Sequence, residues 1–180
     1  MAGTSARTPL LLLALAGLVV APTACAAADP SVDVPDTPVG TVIDPNAVVV
    51  DVVDGDTIDI EIDGATERVR LIGIDTPETV KPNTPVQCYG PEASAFTTAT
   101  LPPSTPVRLE RDAEARDAYG RLLAYVYRAT DGLFVNLAIV AGGYARPFPF
   151  EPNTAHADRF ADAALAARRA HLGLWGACSG

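Results

Sequence analysis

Three short stretches of this chain concentrate residues that can do chemistry. "VVDGDT" carries Asp54 and Asp56, "RLIGIDTPET" carries Arg70, Asp75, Thr76 and Glu78, and "RDAYGR" carries Tyr119 and Arg121. Taken singly, each is an ordinary turn: Asp and Gly supply turn backbone, proline stiffens a loop, and an arginine beside a turn is usually a solvated charge. Taken together they form a coherent set. Asp56, Asp75 and the backbone carbonyl of Thr76 are hard oxygen donors of the kind Ca²⁺ prefers. Glu78 has the chemistry to take a proton from a nearby water. Arg70 and Arg121 are planar forks suited to two oxygens of a phosphate. One cation, one base and two arginines around a phosphate describe a site for phosphodiester hydrolysis.

Those stretches must be brought together by the elements between them. "AVVVDVV" (47–53) is β-branched and breaks at the first acidic turn, and "TIDIEI" (57–62) alternates with period two. Asp63-Gly64 then turns the chain into "ERVRLIGI" (67–74). A helix is expected from "PEASAFTTATL" after Gly90-Pro91, then strands from "PVRLER" (106–111) and "LLAYVYR" (122–128). Further helices are expected over 133–143, stopped by glycines, and over 154–173. Five strands and about three helices predict an α+β, mainly β, closed barrel of OB type, whose rims hold the turns.

The N-terminus reads as a leader. Arg7, an apolar run from Leu10 to Ala21 and the small-residue exit "PTACAAADP" have the layout of a secretory signal over residues 1–28. "APTAC" also resembles a lipobox, although Pro22 departs from it. Plain secretion is the expectation, and a lipid anchor at Cys25, hence a membrane partner, is the alternative. Residues 29–46 carry four prolines and read as a tether, with the domain over 47–178. An exported domain retains Cys88 and Cys178, an even pair in an oxidising compartment, so a disulfide between them is expected. His156 and His171 are the only histidines. Both are expected on the solvent side of the last helix, and their scarcity argues against zinc and histidine-based hydrolases.

Charge constrains the partner. The chain has 13 Lys+Arg against 22 Asp+Glu and a net charge of −9, or −10 without Arg7. Tight sequence-independent nucleic-acid binders are basic, since phosphate contacts supply most of that affinity. An acidic chain fits a transient catalyst that recruits a cation better than a scavenging binder.

The order and spacing of "VVDGDTIDI", "RLIGIDTPET", "CYGPEASAF", "RDAYGRLLAYVY" and "GLW" (173–175) resemble the thermonuclease, or staphylococcal-nuclease-like, family over about residues 47–176. The resemblance implies an OB-type barrel and Ca²⁺-dependent endonucleolytic cleavage of DNA and RNA with little sequence preference, leaving 3′-phosphates. By motif it implies Asp56, Asp75 and Thr76 as calcium ligands with Asp54 behind them, Arg70 and Arg121 on the scissile phosphate, Glu78 as the base and Tyr119 on a terminal or neighbouring phosphate. Ala118 departs from the family, whose well-known members carry a phosphate-binding lysine there. Phe148 and Phe150 stand where some members place base-stacking tyrosines. The aromatic faces survive, while the missing lysine and the negative charge imply weaker substrate binding. A monomer is expected. Two rivals remain: an OB barrel that binds oligonucleotides without cutting, and an envelope protein whose acidic rim holds calcium for structure alone.

Overall fold

A computed structural model describes residues 1–3 and 40–178. The leader, Cys25 and residues 29–39 of the tether lie outside the described residues. The elements below all fall within one compact unit, Val32–Gly180.

The barrel starts with three antiparallel strands, β1 (Ala47–Asp54), β2 (Thr57–Ile62) and β3 (Ala65–Leu71). Alternation decides which face turns inward: Ile58 and Ile60 are fully buried, whereas Glu61 of the same strand is exposed. The β2–β3 turn consists of Asp63 and Gly64, both at positive φ (54° and 77°), the backbone a two-residue hairpin with the right twist requires. The register of β1 against β2 shifts between Val49 and Asp51 and again between Val52 and Asp54. Such irregularities bend the strand and increase its twist, which closing a small barrel needs.

A short strand, β4 (Gly73–Asp75), and a helix, α1 (Gly90–Thr100), follow, then β5 (Pro106–Glu110) and β6 (Leu122–Arg128). β5 pairs antiparallel with β1 and β6, and β6 lies parallel to β3 with Val69 opposite Leu122. That last pairing closes the circuit β3-β2-β1-β5-β6. The structure thus has the expected OB-type, five-stranded barrel. β7 (Leu133–Phe134) extends β6, and α2 (Val135–Ala141), β8 (Arg146–Phe148), α3 (Ala157–Arg169) and α4 (Leu174–Ala177) complete the chain. Val49, Val69, Leu71, Val107 and Val126 join the two isoleucines in the interior, and Ile139 of α2 and Phe160 of α3 cap it. Among the described residues no helix is long and apolar enough to cross a membrane.

Three expectations about elements need correction. The apolar run 67–74 is not one strand: it breaks at Ile72, and Gly73 adopts φ +81°. A side chain at Gly73 would overlap the Phe160 ring, and the buried Asn136 side chain donates to the Ile72 carbonyl at 2.9 Å. The break frees β4 to pair with β8, Asp75 opposite Arg146 and Gly73 opposite Phe148. Leu133 and Phe134 are strand rather than helix, because the Asp131-Gly132 turn, fastened by Arg128 to Asp131, folds them back onto β6. The last helix is shorter than 154–173. Thr154–His156 form a turn in which Ala155 N–H donates to Asp112, and His171 takes a left-handed backbone (φ 53°). His156 is not on the solvent side either. It is half-buried, with its ring edge-on to Tyr125 at 4.5 Å and to Phe134 at 5.0 Å.

Residues 40–46 run along the barrel. Gly40, Ile43 and Asn46 N–H groups donate to the carbonyls of Asp131, Ala129 and Val107, and the Asn46 side chain bonds both ways with the Leu109 backbone. Cys88 and Cys178 form a disulfide with Cα atoms 6.0 Å apart.

Candidate active site

The β1–β2 turn places two buried carboxylates at one rim of the barrel. Gly55, between them, lies so close to Thr76 that a Cβ there would stand 2.8 Å from its hydroxyl oxygen, so the turn and the Asp75-Thr76 corner pack directly together. Asp56 Oδ2 accepts from the Thr76 N–H (2.8 Å) and hydroxyl (2.9 Å), and Oδ1 accepts from the Thr57 hydroxyl (3.1 Å). Burial pushes the Asp56 carboxyl above its ordinary range, opposed by the Arg70 guanidinium and by the Thr76 donors. Asp54 Oδ1 accepts from Gly55 N–H (2.7 Å), the Thr79 hydroxyl (2.8 Å) and the Ser94 hydroxyl (3.0 Å). Asp54 therefore ties the turn to the corner loop and to α1.

Arg70, near the end of β3, joins the two acidic segments. Its side chain is 15 % exposed, and Nη2 lies 3.2 Å from Asp56 Oδ2 and 3.3 Å from Asp75 Oδ1; Nη1 donates to the Leu71 carbonyl. The two carboxylates thus converge on a single cationic nitrogen. Asp56 is buried, whereas the Asp75 side chain is 58 % exposed. One is fixed by the fold and the other can adjust.

Glu78 follows Pro77, which is buried. Its Oε1 accepts the N–H groups of Thr79 (3.0 Å), Val80 (2.9 Å) and Lys81 (2.9 Å), so the carboxylate is held in place by its own turn. The backbone of Glu78 is clamped as well: its N–H donates to Gln87 Oε1 (3.0 Å) and its carbonyl accepts from Gln87 N–H (2.9 Å). Gln87 immediately precedes the disulfide-bonded Cys88, so the cross-link anchors the far end of the loop at the base of Glu78.

Arg121 enters from the turn before β6. Asp117 organises that turn, accepting from Tyr119 N–H (3.0 Å), Arg121 N–H (2.9 Å) and Arg121 Nε (2.6 Å). Burial alone would raise the Asp117 carboxyl, but these partners outweigh it and hold the carboxyl below the ordinary range. With Nε taken, the two terminal nitrogens of Arg121 have no protein partner among the described residues. Tyr119 is 87 % exposed, with the Arg121 guanidinium 5.7 Å from its ring centroid. Arg116 lies in the same sequence stretch but turns away to pair with Glu67 at 2.8 Å.

Two clefts meet at these arginines. An acidic cleft of about 560 Å³ is lined by Asp54, Asp56, Asp75, Thr76 and Glu78. An apolar cleft of about 460 Å³ is lined by Ile72, Ile74, Leu123, Phe148 and Phe150. Arg70, Tyr119 and Arg121 border both. Phe148 and Phe150 are 49 % and 63 % exposed, with rings parallel within 6° and centroids 6.3 Å apart. They are not core residues; they present a flat aromatic platform. All ten residues singled out from the sequence therefore lie on one continuous surface.

The supporting residues Asp117, Thr79, Ser94 and Gln87 escaped sequence reasoning. Asp117 had a local signal, an Asp opening a tight turn four residues before the arginine it holds. The other three had none, because their partners come from elsewhere in the fold.

The sequence also places the chain among known proteins. Residues 68–177 match the family model described as staphylococcal nuclease homologue. The chain is 50 % identical over 124 residues to the "Thermonuclease" of Staphylococcus intermedius, covering 69 % of this chain and 72 % of that protein. It is 44 % identical over 127 residues to the "Thermonuclease" of Staphylococcus hyicus, covering 71 % and 73 %. It is also 44 % identical over 125 residues to the "SPbeta prophage-derived endonuclease YokF" of Bacillus subtilis strain 168, covering 68 % of this chain and 41 % of that longer protein. With barrel, rim and sequence in agreement, the chain belongs to the staphylococcal nuclease homologue family.

Proposed function

We propose that this protein is an exported, calcium-dependent endonuclease that hydrolyses phosphodiester bonds of DNA and RNA with little sequence preference and leaves 3′-phosphate ends. The observation that carries this reading is the junction of the two clefts. Acidic donors and a carboxylate base lie on one side, an aromatic platform on the other, and two arginines between them.

The candidate ligands fit a hard divalent cation. Every donor is an oxygen, and Asp56 and Asp75 already share one positive nitrogen within 3.3 Å. Asp56, Asp75 and the Thr76 carbonyl would hold Ca²⁺, with Asp54 fixing the turn that carries Asp56. A cation there supplies positive charge opposite the oxygens of a bound phosphate. The protein groups do the rest. The free end of the Arg121 fork, with Arg70, binds the non-bridging oxygens as their charge grows. Glu78 accepts a proton from the water whose oxygen forms the new bond to phosphorus. The bond from phosphorus to the 5′-oxygen breaks, and that oxygen takes its proton from solvent. Phe148 and Phe150 offer faces on which a base can stack without selecting among bases, and Tyr119 reaches a neighbouring phosphate.

Export is inferred from the leader pattern of residues 1–28 and supported by the Cys88–Cys178 disulfide, which suits an oxidising compartment. A lipid anchor at Cys25 is the alternative form of the same reading. One copy carries the whole site, which supports a monomer.

The test is to incubate the secreted chain, residues 29–180, with plasmid DNA and with RNA, in calcium and in excess chelator. Cleavage of both in calcium, ending in 3′-phosphates and stopped by chelator, is expected. Full cleavage in chelator overturns the metal assignment. Binding without cleavage in calcium overturns the enzyme in favour of an oligonucleotide-binding barrel.

A further inference from the structure

Few cations of this acidic protein are gathered where they could meet a polyanion together. The chain has 13 Lys+Arg against 22 Asp+Glu. Arg68, Arg70, Arg116, Arg121 and Arg128 are already paired with carboxylates. Lys81, Arg108, Arg111, Arg146, Arg168 and Arg169 have no carboxylate partner among the described residues, and of these Arg146 and Arg168 share one ring. Both are exposed. Both guanidiniums sit against one indole: Cζ of Arg146 lies 5.4 Å and Cζ of Arg168 5.7 Å from the ring centroid of Trp175.

Two like charges gathered on one ring repel each other. The carboxylate opposite Arg146, Asp75, pairs with Arg70 instead, so the repulsion is left for an external anion to relieve. The indole also restrains both guanidiniums, so less side-chain freedom is lost when they grip oxygens.

The cluster is placed beside the proposed reaction. β8 puts Arg146 directly opposite Asp75 of β4, and directly opposed residues of an antiparallel pair project to the same face about one strand spacing apart. Arg168 belongs to the last turn of α3, which packs on β8. Neither arginine lines the acidic or the apolar cleft. A strand lying across the clefts therefore has further phosphates that extend beyond them on the Asp75 side.

We propose that Arg146, Trp175 and Arg168 form an accessory site for a backbone phosphate of a bound nucleic-acid strand, outside the two clefts. The site rewards length of substrate rather than sequence, and partly offsets the negative charge around it. This rests on the nuclease reading for its ligand class, while its test reads binding and does not need turnover.

Trp175 is the only tryptophan, so its fluorescence reports on this place alone. The full mature chain, held in chelator, is titrated with a single-stranded DNA octanucleotide, with a dinucleotide, and with anionic phospholipid vesicles. The octanucleotide should change the Trp175 emission saturably, and the dinucleotide should not. Arg146→Gln and Arg168→Gln should each weaken octanucleotide binding several-fold and reduce the slope of log K against log salt by about 0.7, the value for one phosphate contact on a single strand. Arg146→Lys should restore the slope, and Arg108→Gln, an exposed arginine on β5, should leave it at the wild-type value. In calcium, Arg146→Gln should lower the ratio of kcat/KM on the octanucleotide to that on the dinucleotide.

Melting curves accompany each variant. If Arg146→Gln unfolds, the exposed Arg168→Gln carries the test. A silent Trp175, a salt slope unchanged in the folded variants, or an emission change with vesicles but not with oligonucleotide each overturns the site. If the octanucleotide reports at Trp175 but the chain cleaves nothing in calcium, the enzyme reading falls and the accessory site stands. If the chain cleaves and Trp175 stays silent, only the accessory site falls.

Discussion

The acidic and apolar clefts share Arg70, Tyr119 and Arg121 yet are built in opposite ways. In the acidic cleft every carboxylate is already held through at least one oxygen. Asp54 holds three donors on one oxygen, Glu78 holds three on one oxygen, and Asp56 accepts from Thr76 twice. In the apolar cleft Phe148, Phe150 and Tyr119 stand exposed, two of them stacked only on each other. Charged groups left unheld in a partly buried site would turn toward whatever partner is nearest, so their geometry must be fixed by hydrogen bonds. Stacking faces need only be flat and accessible. The first cleft should therefore govern the rate of the chemical step and the second the grip on substrate.

The largest test of that division is Glu78→Gln, which keeps size and shape but loses the proposed base. A fall in kcat of about 10²–10⁴ is expected, with fold and calcium binding retained in melting curves taken with and without Ca²⁺. Arg121→Ala should cost at least as much, and the double variant less than the product, since both groups act on one transition state. A folded Glu78→Gln protein cutting at near wild-type rate would remove the acidic cleft from the chemistry.

On the other side, Phe148→Ala and Phe150→Ala should raise KM while leaving kcat within a few-fold. Loss of a stacking face is worth about 1–3 kcal/mol per base, roughly 5- to 150-fold in binding. A drop in kcat as large as that of Glu78→Gln would dissolve the distinction between the clefts.

The disulfide sharpens it further, because it anchors only the acidic side, through Cys88 next to Gln87. The Cys88→Ser/Cys178→Ser pair should lower stability by ~2–4 kcal/mol, or about 6–15 °C in Tm. Below the new melting point kcat should fall by more than KM changes. Gln87→Met, with the clamp acceptor gone but the cross-link intact, should reproduce the kcat loss without most of the Tm loss.

The smallest effect expected is a pH dependence from a half-buried histidine. Burial, then the neighbouring Arg159, lowers the pKa of His156 below its ordinary 6.5, opposed by Asp112 and Glu110. A histidine with a folded pKa below its unfolded one contributes no penalty while neutral. Stability should therefore fall as pH drops through and below about 6.5, because the unfolded chain takes up the proton first. His156→Phe should flatten that part of the Tm–pH curve, leaving the acid limb set by Asp112. Burial alone would raise the Asp112 pKa, but the bonds from Ala155 N–H and the Tyr125 hydroxyl hold it below the ordinary value.

Much of this molecule was legible in one dimension. Period-two alternation in "TIDIEI" and the Asp63-Gly64 turn are local signals, and both were read with the right face and the right hairpin. The pairing of Cys88 with Cys178 followed from their number once Cys25 was assigned to the leader. The residue types at the rim were legible because hard oxygen donors and guanidinium forks are chemically suited to few tasks. Tertiary contacts decided the rest. The run 67–74 looks like one strand until the Phe160 ring and the Asn136 side chain break it at Gly73, and only that break brings Arg146 opposite Asp75. His156 has no local feature that marks it as half-buried; Tyr125 and Phe134 put it there. Nothing near Gln87 in sequence announces that it holds Glu78. Periodicity, turn chemistry and ligand type are properties of a residue and its near neighbours, so sequence by itself determined the five main strand segments, the hairpin and the kind of chemistry. Which side chain interrupts a strand, which carboxylate shares which arginine and which cation is left unpaired depend on groups far apart in the chain, and only folding brings those groups within bonding distance.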